Sequence, residues 1–394
     1  MPPEIASRSV LFLTPSVRLL GARQSLLALV SHLPSHYFPH IIASGTGPFT
    51  ETLTERGVPF TVIPHFPWRK LTGRVQTHLF QLPALRRAGR ALSPTIIHCN
   101  EFHSAPQGLW LGRALRDSRN PAGVPVTVHL RNALTTRQIR NYLLPRAAGL
   151  VAVSESIRTC FEPLGMGHQL RVIYNGIELS FGSTEPTASS SLRGELGWSS
   201  EDFVVGLLGL VSPRKAQLVL AEAVARANAR GARIKLLLAG DAFESSLEYG
   251  AALRERLAQP DLAPHAHWLP FQKNLEPVYR AMDLNALIST EEGFGRTIIE
   301  AGAYGIPSVG SRIGGIPEII VEGETGWLVN ESDVAAVTEV LLSASADRAE
   351  LHRRGAAARG RVQREFTLQG TVDRLVEYWE ELLAGTSNSL KPVE

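Results

Sequence analysis

Short apolar runs alternate along the chain with segments whose apolar residues recur at helical spacing. The runs are apolar at consecutive positions, as expected for strands buried on both faces of a parallel sheet. In the first half, the predicted strands are Ser9–Thr14, His40–Ala43, Phe60–Ile63, Thr95–His98, Pro125–His129, Leu150–Val153 and Arg171–Tyr174. The predicted helices there are Gln24–Leu33, Leu82–Leu92 and Ala105–Leu115.

The alternation restarts after residues 182–196, whose Ser, Thr, Gly and Pro content is typical of a linker. The predicted strands are then Phe203–Leu208, Ile234–Ala239, His267–Leu269, Leu284–Ile288, Pro307–Val309 and Trp327–Val329. The predicted helices are Arg214–Arg230, Ser246–Leu257, Arg296–Tyr304, Val334–Ser343 and Leu368–Leu383. A chain of 394 residues is too long for one ordinary core. We therefore expect an α/β protein with domains at 1–180 and 181–365 and a terminal segment at 366–394.

The composition, 44% hydrophobic and 20% charged, is that of a soluble globular protein. No stretch approaches the roughly 18 uninterrupted apolar residues of a membrane span, and the N-terminus lacks a secretory signal pattern. Two cysteines, Cys99 and Cys160, make no disulfide framework. We expect a cytoplasmic protein, and peripheral contact with the inner face of a membrane stays open.

Charge is distributed unevenly. Residues 1–180 carry 19 Lys and Arg against 8 Asp and Glu, a net +11, whereas the remainder carries 21 against 29, a net −8. Arg86, Arg87 and Arg90 lie on one predicted helix. An anionic membrane surface and an acidic or phosphorylated soluble acceptor both fit this half, and so does an ordinary solvated face. We expect no nucleic-acid binding, because no basic motif is interleaved with aromatic residues.

One loop offers a place for a phosphate. The segment Ser289–Gly305, STEEGFGRTIIEAGAYG, follows a predicted strand and leads into a predicted helix. Gly293 and Gly295 bracket Phe294, so the backbone can approach a ligand closely. The free N–H groups at the start of the helix favour an anion.

Polar side chains accompany this loop. Glu292 lies in the loop, Thr297 lies in the first helical turn, and Glu300 lies about one turn into the helix. Carboxylates suit sugar hydroxyls because they accept two hydrogen bonds in one plane. A glycine loop with an ordinary helix-start glutamate is the structural alternative.

Glu292 and Glu300, with seven residues between them in EGFGRTIIEA, match the E-x7-E motif, and the sequence here resembles the retaining GT-B glycosyltransferases of family 4. The following stretch GIPSVGSRIGGIPEIIVEGETGWLV continues the match, with Gly314, Gly315 and Glu318 in its GGIPE loop. The segment Tyr174–Gly182, YNGIELSFG, resembles the family's hinge, with glutamate in place of aspartate.

The resemblance implies two Rossmann-like domains with an interdomain cleft and a C-terminal helix that crosses back to the first domain. It also implies transfer, with retention, from a UDP- or GDP-linked sugar, without a separate cofactor. Glu300 would then bind the ribose, Glu292 would contact the transferred sugar, and the amides of Gly293–Gly295 would face the sugar or phosphate. The acceptor stays open between a glycolipid, a polysaccharide precursor and a small molecule.

The segment Gly209–Ala216, GLVSPRKA, resembles the family's phosphate clamp and keeps the lysine as Lys215, a compact cation suited to pyrophosphate. Leu210 stands where the family has arginine, and Ala216 stands where it has glycine. Arg214 is a candidate substitute for the missing guanidinium.

The first half supplies candidates for the other side of the reaction. His129 ends a predicted strand and matches a histidine that the family uses near the donor sugar, although a histidine at a strand end is more often structural. The expected acceptor-side residues share positions near strand ends and are Gly21, Arg23, Asn100, Glu101 and Arg131, beside His98 and His103.

Several features of other enzyme classes are absent from the sequence. It contains no D-x-D pair for a divalent cation, so we expect a metal-independent reaction. It also lacks a P-loop, a complete G-x-G-x-x-G after the first strand and a G-x-S-x-G elbow. Two alternatives to a transferase stay open: a nucleotide-sugar 2-epimerase and a non-catalytic nucleotide-sugar-binding subunit.

Overall fold

The computed structural model describes residues 7–118, 120–179 and 192–388, and the chain divides into two compact units. The first unit contains residues 1–176 and 368–394, and the second contains residues 177–367. The predicted boundaries after residues 180 and 365 stay predictions. Residues 182–191 of the predicted linker and the last three residues of the hinge segment lie outside the described residues.

The first unit is built on a seven-stranded parallel sheet with the order β3-β2-β1-β4-β5-β6-β7. Its strands are β1 (Arg8–Thr14), β2 (Tyr37–Ala43), β3 (Phe60–Val62), β4 (Ile96–Cys99), β5 (Val126–Leu130), β6 (Gly149–Ala152) and β7 (Leu170–Val172). The order reverses between β1 and β4, and ligands bind beyond the carboxyl ends of the strands at such a point.

Helices follow most strands of this unit. They are α1 (Gly21–Ser31), α2 (Pro48–Glu55), α3 (Leu71–Gln76), α4 (Leu82–Leu92), α5 (Ala105–Ala114), α6 (Thr136–Asn141) and α7 (Glu155–Thr159). A π-helical turn at Thr77–Gln81 joins α3 to α4.

The second unit has a six-stranded parallel sheet with the order β10-β9-β8-β11-β12-β13, which reverses between β8 and β11. The strands are β8 (Phe203–Leu208), β9 (Ile234–Ala239), β10 (Ala266–Leu269), β11 (Leu284–Leu287), β12 (Ser308–Ser311) and β13 (Gly326–Val329). The helices are α8 (Leu192–Glu195), α9 (Gln217–Ala229), α10 (Leu247–Leu257), α11 (Glu276–Ala281), α12 (Arg296–Ala303), α13 (Ile316–Ile319), α14 (Val334–Ala346) and α15 (Arg348–Glu365).

Short apolar runs predicted each of these strands, but the helical spacing of apolar residues did not reveal the 18-residue helix α15. That helix is strongly polar, and its buried positions are Leu351, Gly355, Ala358 and Val362. Gly355 lies so close to the chain at Gly305 that a β-carbon on Gly355 would come within 2.0 Å of the Gly305 carbonyl oxygen. Small residues leave no apolar stripe for a sequence pattern to detect.

The final helix, α16 (Leu368–Asn388), packs in the first unit, as the family resemblance implied. Trp379 is fully buried and meets the rings of Phe12 and His98 edge-on, at 6.0 and 5.5 Å between centroids. The Tyr378 hydroxyl donates to the Gln169 carbonyl at 2.7 Å and accepts from the Leu150 amide at 3.2 Å. No helix in the described ranges is long and apolar enough to cross a bilayer.

Truncating the buried indole should loosen the first unit selectively. We expect Trp379→Ala to destabilise this unit by about 3–5 kcal/mol, the usual cost of removing a large core side chain. Hydrogen exchange would then accelerate in β1 and β4 and stay unchanged in β8. Trp379→Phe is the matched control. It should cost far less, because the indole nitrogen has no hydrogen-bond partner among the described residues. Equal exchange in all three proteins would contradict this packing role.

Candidate functional site in two parallel sheets

The switch point of the second unit brings two charged residues together from loops 77 residues apart in sequence. Lys215 precedes α9 and Glu292 follows β11, and the Lys215 Nζ atom donates to Glu292 Oε2 at 2.5 Å. Both side chains are largely buried, with exposed fractions of 13% and 15%. The two loops are also joined through backbone, because the Thr290 amide donates to the Arg214 carbonyl at 2.8 Å.

The ion pair keeps a buried carboxylate charged. Burial is the largest single influence and raises the pKa of Glu292, but the charge and hydrogen bond of Lys215, together with weaker contributions, hold this pKa below its ordinary value. The charge of Arg214 and a hydrogen bond from the Phe294 amide act in the same direction. The site therefore presents a fixed negative and a fixed positive charge in contact.

Backbone packs against backbone in the adjoining glycine loops. A β-carbon on Gly314 would lie 1.7 Å from the Glu292 carbonyl oxygen, and one on Gly315 would lie 2.8 Å from the Gly293 carbonyl oxygen. Gly295 has φ +115°, a conformation that L side chains rarely adopt, and it directly precedes α12. Glycines at these positions allow the loop before α12 to lie against the loop before α13.

An aromatic contact packs the loop before α12 against the rest of the second unit. Phe294 is 4% exposed and meets Phe366 edge-on at 5.8 Å between centroids. Thr297 lies in the first turn of α12, and its hydroxyl is buried without a hydrogen-bond partner among the described residues. The loop therefore holds its shape through packing, with backbone and hydroxyl groups at the helix start.

Glu300 is buried one turn into α12 and has two partners that sequence reasoning missed. Its Oε2 accepts from the Tyr279 hydroxyl at 2.7 Å, and its Oε1 accepts from Arg296 Nε at 2.5 Å. Arg296 lies four residues before Glu300, and this helical spacing was the available signal. Tyr279 comes from α11 and stacks on Tyr304 at 5.3 Å, a contact between distant segments that has no local signature.

In the predicted phosphate clamp, the helix begins later than expected. A helix was predicted from Arg214, but α9 begins at Gln217, and Lys215 belongs to a preceding 3-10 turn. Ala216 has φ +54°, which explains physically why glycine suits this position. Gly209 follows β8 with φ +138°, and the Arg214 guanidinium donates to the Glu291 carbonyl at 3.1 Å. Sequence reasoning placed Lys215 on a helix because it did not detect the left-handed residue that stops the turn.

His129 lies in the core of the first unit, at the end of β5. Its ring is 5.5 Å from that of His98 at 90°, and its Nε2 is buried with no partner in the described part of the chain. Burial lowers the pKa of His129 well below its ordinary value, and the positive charge of Arg131 and the neighbouring His98 ring add to the effect. The imidazole is therefore neutral at physiological pH. It lines a small cavity of about 10 Å³, roughly the room of one water molecule.

The expected acceptor-side residues gather beyond β1, β4 and β5. Arg131 donates to the Asn100 side-chain oxygen at 2.9 Å and to its carbonyl at 3.2 Å. Arg23 and Glu101 form a buried ion pair at 2.7 Å. Gly21 is exposed at the first residue of α1. These five residues therefore share the carboxyl edge of the first sheet, where the switch point lies.

Two parallel Rossmann-like sheets, each with its polar residues at the switch point, define a protein of the GT-B class. Two family models match the chain: Glycosyltransferase Family 4 over residues 20–181 and Glycosyl transferases group 1 over residues 202–347. The chain belongs to this family 4, group 1 lineage of glycosyltransferases, which confirms the resemblance seen in the E-x7-E segment.

Among curated relatives, the D-inositol 3-phosphate glycosyltransferase of Nocardia farcinica is 32% identical over 202 residues, 50% of this chain and 45% of that protein. The chain spans about half the length of the curated relatives that it matches. Anabaena Alr3699/HepE, solved with UDP and glucose, has a TM-score of 0.82 at 23% identity, covering 95% and 99% of the two chains. Sucrose-phosphate synthase from Thermosynechococcus elongatus has a TM-score of 0.72 at 18% identity, covering 96% and 100%. These two structures confirm the predicted fold class.

Removing one partner of the buried pair should be costly at neutral pH. We expect Lys215→Met to lower the free energy of unfolding of the second unit by about 3 kcal/mol at pH 7, because Glu292 is left buried and charged. The double variant Lys215→Met with Glu292→Gln should recover most of this loss in urea denaturation.

The loss of stability in Lys215→Met should depend on pH. The folded-state pKa of Glu292 lies below the ordinary value of 4.5, so its contribution to stability is complete above about pH 4.5 and is lost as pH falls through the folded pKa. The difference between wild type and Lys215→Met should therefore shrink as pH falls below about 4.5. A difference that is constant from pH 7 to below pH 4 would contradict the ion pair as its cause.

Ala216→Gly should stabilise the second unit. Glycine relieves the strain of the left-handed conformation, and this relief exceeds the cost of the extra conformational entropy that glycine gives the unfolded chain. We expect the free energy of unfolding, measured by urea denaturation, to rise by about 0.5–1 kcal/mol. Ala229→Gly, the same change at an exposed position of α9, is the control and should lose stability. A loss at both positions would argue against strain at Ala216.

Proposed function

We propose that this protein is a metal-independent, retaining glycosyltransferase that uses a nucleotide-diphosphate sugar, with UDP as the preferred nucleotide. The observation that carries the proposal is the contact between Lys215 and Glu292 at the switch point of the second sheet, beside glycine loops whose backbones pack against each other. UDP is favoured over GDP because the similar Anabaena protein was solved with UDP-glucose.

In this proposal the second unit holds the donor. Glu300 binds the ribose, and Tyr279 and Arg296 fix the plane of its buried carboxylate. Lys215 neutralises the diphosphate, and the amides of Gly293–Gly295 and the start of α12 add hydrogen bonds. Glu292 contacts the transferred sugar. It stays charged because Lys215 lies beside it.

The chemistry then rests on stabilising a leaving group. The bond between the anomeric carbon and the phosphate oxygen breaks through an oxocarbenium-like state, and the diphosphate departs with the electron pair. The acceptor hydroxyl attacks from the same face, and its proton passes to the departing phosphate oxygen. Lys215 and the helix N-terminus stabilise the developing phosphate charge by preorganisation. Neutral His129 takes part as a hydrogen-bonding group near the sugar, since its low pKa rules out a charged imidazolium at neutral pH.

The first unit supplies the acceptor side. Gly21, Arg23, Asn100, Glu101 and Arg131 surround its switch point, and their net positive character suits an acidic or phosphorylated acceptor. We place the reaction in the cytoplasm, at the inner face of a membrane when the acceptor is lipid-linked. The acceptor classes are a glycolipid, a polysaccharide precursor and a small molecule.

A non-catalytic subunit that binds nucleotide sugars is the second candidate. Leu210 removes the family's arginine, and Arg214 is engaged with the Glu291 carbonyl in this structure. Such a subunit would bind the donor and never release free nucleotide. A 2-epimerase would instead invert the sugar without any acceptor, which the same assay detects.

Calorimetric binding of UDP- and GDP-linked sugars tests the pocket. We expect one donor to bind saturably and Glu300→Ala and Lys215→Ala each to weaken it about tenfold or more, the usual cost of losing a charged hydrogen bond. Glu339→Ala, an exposed position on α14, is the control and should bind normally. No binding by any donor would refute the transferase.

Once the donor is known, a turnover assay distinguishes the transferase from the non-catalytic subunit. Nucleotide release with each acceptor class is measured with and without EDTA, and the product anomer is read by NMR. The proposal expects release that EDTA does not change and an anomer that matches the donor. An inverted anomer would refute retention, and binding without release by any acceptor would favour the non-catalytic subunit.

A further inference from the structure

An unusual concentration of exposed apolar side chains lies in the first unit. Of the nine large hydrophobic side chains that are strongly exposed among the described residues, four fall within residues 71–80. They are Leu71, Val75, Leu79 and Phe80, with exposed fractions of 79%, 50%, 63% and 65%. Leu71, Val75 and Leu79 are four residues apart and form one stripe. A contiguous exposed apolar patch marks an interaction surface.

The stripe lies on an almost continuous helical run formed by α3, the π turn and α4. The residues that face the unit's interior are also spaced four apart and are Gly73, Thr77, Gln81, Leu85 and Gly89. The π turn keeps both stripes in line across the junction between α3 and α4. Such turns are rare and occur often at functional sites.

The run is fixed to the unit, so the exposed face is part of the folded surface. A β-carbon on Gly73 would lie 2.1 Å from the Pro67 carbonyl oxygen, and one on Gly89 would lie 3.0 Å from Leu111 of α5. Arg74 Nε donates to the Trp68 carbonyl at 2.8 Å, and the Trp68 indole donates to the Asn141 carbonyl at 3.1 Å.

The segment that carries the stripe has charges of one sign only. The sequence has no Asp or Glu between Glu55 and Glu101. Six exposed cations lie between residues 69 and 90, namely Arg69, Lys70, Arg74, Arg86, Arg87 and Arg90. Because the spacing of four continues through Pro83 to Arg87, Arg87 extends the apolar stripe along the same side of the run, and Arg86 and Arg90 are exposed beside it.

We propose that this face, residues 69–90 and hereafter the 69–90 surface, docks the protein on an anionic lipid bilayer. An interfacial helix buries an apolar stripe at the acyl boundary, while its cations contact anionic headgroups. A nucleic acid would leave Leu79 and Phe80 uncovered, and an acidic protein partner would be expected to bring a complementary groove. Only the role of this docking rests on the proposed function: it would bring the acceptor-side residues of the first unit to a lipid-linked acceptor.

Vesicle co-sedimentation tests the surface with the full chain. We expect binding to vesicles of phosphatidylcholine mixed with phosphatidylglycerol, weak binding to phosphatidylcholine alone, and release at high salt. Arg86→Gln with Arg87→Gln should reduce partitioning about 25-fold, from about fivefold for each cation near the membrane. Leu79→Ser with Phe80→Ser should reduce it at least about tenfold.

Each double variant has a matched control on another part of the chain. Arg359→Gln with Arg364→Gln removes two exposed charges from α15, and Phe38→Ser with Leu247→Ser removes one exposed Phe and one exposed Leu. Both controls should bind vesicles as the wild type does. Circular dichroism and thermal unfolding of every variant establish that it is folded.

Four outcomes would overturn the proposal. They are no binding to anionic vesicles, equal binding to both vesicle types, equal loss in the controls, and self-association in solution that Leu79→Ser with Phe80→Ser abolishes. Donor calorimetry on the same variants keeps the two proposals apart, because the 69–90 surface contains no donor residue. Normal donor binding without vesicle binding refutes the surface alone. Vesicle binding without donor binding refutes the proposed function alone.

Discussion

Parallel pairing is the constraint on which the rest of the structure depends. In both sheets every strand pairing is parallel, so all carboxyl ends of a sheet meet at one edge and a helix must return the chain each time. The two switch points, between β1 and β4 and between β8 and β11, collect residues that are distant in sequence. Asn100 and Arg131 meet at the first, and Lys215 and Glu292 meet at the second.

Electrostatics then distinguish the two switch points. Burial is compensated by opposite charge in the second unit, where Lys215 keeps Glu292 ionised. In the core of the first unit burial is uncompensated: the pKa of His98 falls to about 3, and His129 is neutral as well. The cations of the 69–90 surface are solvated instead, so they remain available to an anionic partner. Charge therefore preorganises the site at the Lys215–Glu292 pair, whereas it provides long-range attraction at the 69–90 surface.

Sequence reasoning succeeded where a physical rule acts locally. Buried parallel strands leave uninterrupted apolar runs, and the E-x7-E segment follows such a run directly, so strands, fold class and loop were readable. Reasoning failed where the decisive contact was between distant segments or small residues. Helix α15 packs through Gly355 and Ala358, the helix at Arg214 is delayed by a left-handed Ala216, and Tyr279 reaches Glu300 from another helix.

By itself the sequence determined the α/β architecture, the family and the segments in which polar side chains follow strands, because these depend on residue spacing alone. The tertiary structure decided which of those side chains meet. It paired Lys215 with Glu292, enclosed Glu300 between Tyr279 and Arg296, and buried His129 away from solvent. It also decided which apolar residues stay outside: no helix is predicted from the sequence over residues 71–79, and only packing of the opposite face shows that Leu71, Val75 and Leu79 are exposed.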